Sequence, residues 1–322
     1  MKDFAGKIAV VTGGGTGMGR ELARQLVAEG CNVAMCDVSS RAMETTRALC
    51  EAEAPQGTKV STHLADVSDE AAVLRFRDEA ANAQDTDKIH LLFNNAGIGG
   101  GGSVVAGDRA EWDKTFAVCW GGVYFNTRAF LPMLIRAHEG HIVNTSSVNG
   151  FWASIGAGIP HTAYSAAKFA VKGFTEALIT DLAVNAPHVK CSVVMPGHIG
   201  TEIVANSRKV LAGVDDDQLS PVEIERARAR MTAFGIDAAS LSDSEIEALV
   251  ADQARRFRDN APMSAAAAAA AILDGVKADR WRILVGDDAH ALDRIVRRAP
   301  QDAYDLDFLP RHAEEVGWNL TS

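Results

Sequence analysis

Apolar residues along this chain fall into short continuous runs, and each run is followed by a stretch of helical period. The runs cover residues 8–12, 32–36, 60–64, 89–93, 141–145, 191–195 and 282–285, each bounded by Gly, Pro, Asn or Asp. Most are too continuously apolar for strands with one solvated face, so they read as strands buried on both sides. Amphipathic stretches such as 19–29, 69–83, 109–136 and 163–184 lie between them. Strand–helix alternation predicts an α/β fold: a doubly wound parallel sheet of about seven strands with helices on both faces. Ligands of such sheets bind beyond the carboxyl ends of the strands.

The alternation stops after Thr201. Over 202–262 there is no strand signal, but there are two helix starts. Ser220-Pro221-Val222-Glu223 places a capping serine, a proline at the first helical position and a glutamate three residues on, and Ser242-Asp243-Ser244-Glu245 repeats the capping-box spacing. This stretch reads as a helical insertion (202–262) within a single domain spanning 1–322, since each helix needs the main body to bury its apolar stripe. Ser264 then caps an Ala-rich helix leading to the last strand. The tail, 287–322, begins with a helix over 289–298 and continues as an extended end bearing aromatic residues.

Composition narrows the classes. A net charge of −10 argues against nucleic acid or an anionic membrane as a partner, since both demand a basic footprint. The five cysteines (Cys31, Cys36, Cys50, Cys119, Cys191) form no CxxC pair, so no metal site or disulfide framework is expected, and a cytoplasmic location is. The first residues lack the apolar segment of a signal peptide, and the longest apolar stretch, 265–273, is about half a bilayer span.

The first strand runs into Thr12-Gly13-Gly14-Gly15-Thr16-Gly17-Met18-Gly19. A glycine-rich turn between strand and helix lets backbone N–H groups approach a pyrophosphate, and the helix dipole favours its charge. Asp37 ends the second strand, 24 positions after Gly13. A carboxylate there can accept both adenosine ribose hydroxyls and would repel a 2′-phosphate by roughly 4 kcal/mol. NAD is therefore expected ahead of NADP, although Arg41 is placed to clamp a phosphate. Asp66-Val67 and Asn94-Asn95-Ala96-Gly97 end the third and fourth strands, where a nucleotide would lie.

Tyr164-Ser165-Ala166-Ala167-Lys168 sets a phenol and an ammonium one turn apart on one helix face. Bringing a phenol towards neutrality takes roughly 3–4 kcal/mol, which a fixed cation about 4–5 Å away can supply at an effective dielectric near 20. Ser147 ends the fifth strand, where a hydroxyl can hold an oxygen whose charge changes in the reaction. Tyr124 with Arg128, and Lys172, repeat the helical spacing without such a serine. After the sixth strand, Pro196-Gly197-His198-Ile199-Gly200-Thr201 turns over the cofactor position, with Ile199 and Thr201 placed to meet a nicotinamide carboxamide. His161 and His198 read as bystanders, since the chemistry does not need them.

Together these motifs resemble the short-chain dehydrogenase/reductase family over roughly 5–201 and again over 263–286. TGGGTGMG matches the family's TGxxxGxG, NNAG its NAG turn, YSAAK its YxxxK and PGHIGT its PGxxxT. The resemblance implies a Rossmann-type sheet and a homodimer or homotetramer joined through the helices starting near Arg109 and Ala163. It also implies hydride transfer between a nicotinamide dinucleotide and a secondary alcohol or ketone. By the same analogy Tyr164 is the general acid/base, Lys168 binds the nicotinamide ribose and lowers the Tyr164 pKa, and Ser147 orients the substrate oxygen.

Two departures stand out. Where the family often carries a catalytic asparagine, Val118-Cys119-Trp120-Gly121-Gly122 places Cys119, and a thiol is a much weaker hydrogen-bond partner. Asn126, two turns on, is too far to replace it. Ser147 and Tyr164 are 17 positions apart, about four more than the family's usual spacing. The extra residues include Phe151, Trp152 and Ile155, which are expected to form a substrate wall; with the long insertion they imply a roomy apolar pocket for a bulky, aromatic or polycyclic alcohol. The alternatives are an epimerase or dehydratase using bound NAD, and a non-catalytic dinucleotide sensor.

Overall fold

In the computed structural model, residues 1–156, 158–214, 218–233 and 237–318 are described, so parts of the expected insertion (215–217, 234–236), residue 157 of the Ser147–Tyr164 connection and the last four residues of the tail lie outside the described residues. The chain runs β1 (Ile8–Thr12), α1 (Gly17–Ala28), β2 (Asn32–Asp37), α2 (Ser40–Glu53), β3 (Val60–Leu64), α3 (Glu70–Gln84) and β4 (Leu91–Asn94). It continues with α4 (Arg109–Phe116), α5 (Gly122–Ile135), β5 (Gly140–Thr145), α6 (Thr162–Asn185), β6 (Val189–Pro196) and β7 (Ile199–Gly200). The insertion holds α7 (Ile203–Ala212), α8 (Pro221–Ala233) and α9 (Asp243–Asp259). Then come β8 (Met263–Ser264), α10 (Ala265–Lys277), β9 (Arg282–Val285), α11 (Asp287–Arg298), α12 (Phe308–Arg311) and α13 (Ala313–Val316).

Seven strands form one parallel sheet in the order β3-β2-β1-β4-β5-β6-β9. The chain leaves β1 towards β2 and β3, then returns to the other side of β1 with β4. That reversal opens a crevice at the carboxyl ends of β1 and β4, the place where such sheets bind ligands. The central strands are largely apolar because both faces are covered, whereas the edge strand β3 (Val60-Ser61-Thr62-His63-Leu64) is mostly polar and leaves Leu64 exposed. Val10, Leu92 and Ile142 face one core with Phe76, Phe130 and Leu178. Ala9, Val11, Leu91 and Phe93 face the other with Leu22, Leu26, Ala268 and Ile272. Each large side chain buried this way contributes roughly 1.5–3 kcal/mol relative to exposure.

The caps legible in the sequence form. Ser242 and Glu245 make the reciprocal capping box of α9, Ser264 accepts from the Ala267 N–H, and Pro221 opens α8. Five expectations change. The tail expected as an extended end carries two short helices, α12 and α13, whose Phe308 and Val316 are buried. The fourth strand starts at Leu91, two residues later than its apolar run suggested. The helix expected over 109–136 is interrupted by a π-helical turn over Ala117–Gly121, so Cys119 sits where one extra residue widens and underwinds the helical ladder. The insertion carries a third helix, α7, whose Glu202 N-cap makes no side-chain bond and so left no local signature. Finally, α8 and α9 bury Ile224, Ala227 and Ile246 against one another and Ala238, so these two helices supply part of their own core. Among the described residues no helix is long and apolar enough to cross a membrane.

Candidate active site

The glycine turn between β1 and α1 is closed to the point of excluding side chains. Gly13 has φ +66°, which favours glycine, and a Cβ there would lie 2.8 Å from Ala96 Cα. A Cβ on Gly19 would overlap the Gly13 carbonyl oxygen. The Thr12 hydroxyl, at the end of β1, accepts the Asn95 N–H at 3.0 Å and the Ala96 N–H at 3.1 Å. Asn95 Nδ2 returns a bond to the Thr12 carbonyl at 3.1 Å. The TGGGTGMG and NNAG motifs are therefore one structure, laced across the switch point.

At the start of α1, Thr16 makes no side-chain cap and the Arg20 N–H bonds the Thr16 carbonyl. The N–H groups of Gly17, Met18 and Gly19 are left facing out of the helix end, a donor set suited to a phosphate. The residues of this cradle suit a dinucleotide pyrophosphate: the first-turn N–H groups have no intrahelical partner, and two of the three belong to glycines. Two residues unflagged by the sequence support it. Arg20 holds the turn from beneath, its guanidinium donating to the Gly15 carbonyl at 2.7 Å. Asn206, on α7, donates to Thr16 Oγ1 at 2.9 Å, so the insertion rests on the turn. Thr201 does the same, since a Cβ on Gly17 would lie 3.1 Å from its Cβ.

Asp37 ends β2 beside the turn. Its Oδ2 accepts the Gly15 N–H at 3.0 Å and its Oδ1 the Ser39 N–H at 3.1 Å. Burial lifts this carboxyl above its ordinary value, against the lowering pull of those N–H groups and of Arg20. Arg41 is exposed nearby. Asp66 is engaged differently from a free adenine contact. Burial would raise it, but Lys114 on α4, at 2.6 Å, and Ser68 hold it below the usual carboxylate range. Val67 packs where a Cβ on Gly122 would go. The Asn94 side chain turns into the core, donating to Asn144 Oδ1 at 2.8 Å and to Thr127 Oγ1 at 3.0 Å. Ile199 likewise points into the core, and the Pro196–Gly197 segment ends β6.

Tyr164, Lys168 and Ser147 meet at the carboxyl end of β5. Lys168 is buried, donates to the Thr145 carbonyl at 2.9 Å, and lies 5.3 Å from the centre of the Tyr164 ring. Gly97 makes room, since a Cβ there would stand 3.4 Å from Lys168 Nζ. Ser147 is extended at the end of the strand and accepts the Asn149 N–H at 3.1 Å. Burial drives the Tyr164 phenol up and the Lys168 ammonium down; a hydrogen bond from Ser147 opposes the first shift. The helix that carries Tyr164 is started by backbone: the Thr162 and Ala163 N–H groups bond the Gly102 and Gly101 carbonyls at 2.9 and 3.1 Å. Gly101 and Gly102, after the NNAG turn, thus set where the helix bearing the phenol begins.

His161 is closer to the chemistry than a bystander. Its ring lies 4.8 Å from that of Tyr164, and burial pushes its imidazole down to about 4, so it is neutral at physiological pH. His198 is used structurally, bonding the Phe257 carbonyl at 2.7 Å. Cys119 donates to the Ile98 carbonyl at 3.1 Å, beside Gly97 and on the Lys168 side of the site.

The expected substrate wall is corrected. Trp152 is 1% exposed and packs in a cluster with Ala303, Phe308 and Val316 of the tail, and the Arg282 guanidinium lies over the Phe151 ring at 5.6 Å. Both aromatics belong to the protein's own packing. Ile155 is partly buried in the same connection.

Comparison with known proteins places the chain in a family. The family model described as short chain dehydrogenase matches residues 7–212. A Mycobacterium tuberculosis relative named SadH is 33% identical over 297 residues, 92% of each chain. Levodione reductase of Leifsonia aquatica is 34% identical over 65% of this chain and 75% of its own. A short chain dehydrogenase/reductase of Burkholderia phymatum, solved in complex with NAD, superposes with a TM-score of 0.73 at 29% identity, covering 94% of this chain and 96% of that one.

Proposed function

The chain belongs to the short chain dehydrogenase family, and we propose that it transfers a hydride between NAD and a bulky secondary alcohol or the corresponding ketone, with Tyr164 as general acid/base. The observation that carries the reading is the convergence of a partly buried phenol, a buried ammonium 5.3 Å from its ring and a strand-end hydroxyl beside the glycine cradle.

The cradle N–H groups of Gly17, Met18 and Gly19 would hold the pyrophosphate, Asp37 the adenosine ribose, and Lys168 the nicotinamide ribose. Ala96, Gly97, Pro196, Gly197 and Thr201 would line the rest of the path. When bound, the dinucleotide supplies the carbon that accepts or gives the hydride. In oxidation Tyr164 Oη takes the proton of the substrate hydroxyl, while Ser147 Oγ donates to that oxygen as it becomes a carbonyl. In reduction Tyr164 returns the proton to the oxygen. A phenolate and an ammonium about 5 Å apart attract by about 3 kcal/mol at an effective dielectric of 20. Burial opposes both charges, so a Tyr164 phenolate needs the nearby Lys168 ammonium to offset its desolvation.

NAD is favoured over NADP because the Asp37 carboxylate stands at the end of β2 with lone pairs left for ribose hydroxyls. The size of the alcohol rests on the insertion, where α7 approaches the Gly99–Gly102 segment and Ser207 accepts the Gly99 N–H at 2.8 Å. Assembly as a homodimer or homotetramer is part of the same proposal, supported by the partly exposed Tyr124 and Phe169 on α5 and α6.

A screen of secondary alcohols with NAD, read by NADH absorbance, tests the reading. At least one bulky alcohol is expected to turn over, and Tyr164→Phe is expected to lower kcat by about two to four orders of magnitude while NADH still binds. Undiminished turnover in Tyr164→Phe would overturn it.

A further inference from the structure

The chain past α11 has no part in the proton and hydride steps, yet it packs against both loops that close the site. On one side, Trp152 donates its indole N–H to the Ala303 carbonyl at 2.7 Å, and the Ala153 N–H donates to the Tyr304 hydroxyl at 3.1 Å. The Trp152 ring lies 5.6 Å from Phe308 and 6.1 Å from Trp318. Val148, the residue after Ser147, is buried in the same cluster. The short helical turn that carries the Ser147 hydroxyl is thus pinned from outside by the tail.

On the other side, the Trp318 indole N–H donates to Asp288 Oδ2 at 2.6 Å, and that same oxygen accepts the His198 N–H at 2.6 Å. Asp288 is 3% exposed, and Cβ atoms on Gly197 or Gly286 would overlap its carboxylate, so both backbones close directly on it. A carboxylate buried this deeply needs its N–H donors, because the cost of burying it unpaired is large. Trp318 therefore helps to hold the Pro196–His198 turn in place while its ring packs towards Trp152.

We infer that residues 299–318 clamp the active site, with Trp318 and Trp152 as positioning residues that fix Ser147 and the Pro196–His198 turn. The inference rests on the hydride-transfer reading above. The mechanism is geometric: a displacement of about 1 Å at a group that orients the reacting oxygen can cost about a hundredfold in rate, while ground-state binding changes little. The clamp also accounts for the four extra residues between Ser147 and Tyr164, which supply the loop that the tail grips.

The test uses the full-length protein and an alcohol identified in the screen. Trp318→Phe keeps an aromatic ring against Trp152 but removes the indole N–H together with its five-membered ring. It is expected to lower kcat about tenfold, with KM for the alcohol and Kd for NADH (by fluorescence titration) within about twofold of wild type. Assays are run well below each variant's unfolding midpoint, so lost fold does not mimic lost position. Asp288→Asn, which keeps an acceptor oxygen, is expected to retain more turnover than Asp288→Ala. Tyr164→Phe runs in parallel. If it is inactive while Trp318→Phe turns over at the wild-type rate, the clamp is wrong and the reaction assignment stands. If Tyr164→Phe is itself fully active, the reaction assignment falls and takes the clamp with it.

Discussion

Asp37→Asn separates two jobs that one carboxylate performs. Each carboxylate oxygen accepts one backbone N–H, Gly15 at 3.0 Å and Ser39 at 3.1 Å, and each keeps a further lone pair. The carboxylate therefore braces the glycine turn and also presents negative charge where a ribose would lie. A 2′-phosphate within about 4 Å meets a repulsion of roughly 4 kcal/mol per unit charge at an effective dielectric of 20. Solvent at this partly buried site screens some of that, leaving roughly 2–3 kcal/mol, or about 30- to 150-fold in affinity. The amide abolishes the charge, but its NH2 must face one of the two N–H donors, which orphans that donor at about 1–3 kcal/mol. For NAD the loss stands alone, and kcat/KM should fall by about 10- to 100-fold. For NADP the loss of repulsion offsets it, and kcat/KM should change little. The ratio of the two efficiencies, measured by steady-state kinetics on wild type and variant, should move towards NADP by one to two orders of magnitude. A ratio unchanged within about threefold, or a wild-type enzyme that already prefers NADP, would refute the reasoning and make Arg41 the residue that sets specificity.

Two further outcomes are expected. His141 is buried in β5 with Nε2 2.7 Å from the Ser192 hydroxyl, and burial pushes its imidazole down to about 4. Its neutral form therefore stabilises the fold fully above about pH 6.5, and that contribution, about 3 kcal/mol, is lost as pH falls through about 4. Urea unfolding at pH 7 and pH 4 should show the loss in wild type, and His141→Asn should flatten it; an equal drop in both proteins would contradict the assignment. Cys119→Ser keeps a donor for the Ile98 carbonyl and should leave turnover within about threefold of wild type. Cys119→Val leaves that buried carbonyl unpaired and should lower stability by about 1–3 kcal/mol in a thermal melt, whereas equal melting of the two variants would show the thiol bond to be idle.

What could be read from the sequence was whatever depends on neighbours in the chain. Continuous apolar runs gave the parallel strands because burial on both faces leaves no polar alternation, and Ser242 with Glu245 gave a helix start because the cap spans only three residues. The glycine turn and the Tyr164–Lys168 pair were legible for the same reason. Long-range pairings left no such trace. Lys114 neutralises Asp66 from 48 positions away, and Asn206 reaches Thr16 from 190 positions away. The widened turn at Cys119 was likewise hidden, since no local residue pattern marks where a helix takes up one extra residue.

The error at Trp152 shows how this limit works. A loop with two aromatics beside a catalytic serine looks like a substrate wall when its partner is unknown, because an apolar side chain must be buried against something. A tail with Tyr304, Phe308 and Trp318 looks functionless when its own partner is unknown. The structure joins them: the tail aromatics and the loop aromatics are two sides of one interface, with the Trp152–Ala303 bond spanning 151 positions. On the proposed reading, substrate size is set at the other edge of the site, where Ser207 and Leu211 of α7 meet Gly99 and Gly100, and substitutions at either should change which alcohols are accepted more than substitutions at Trp152 do.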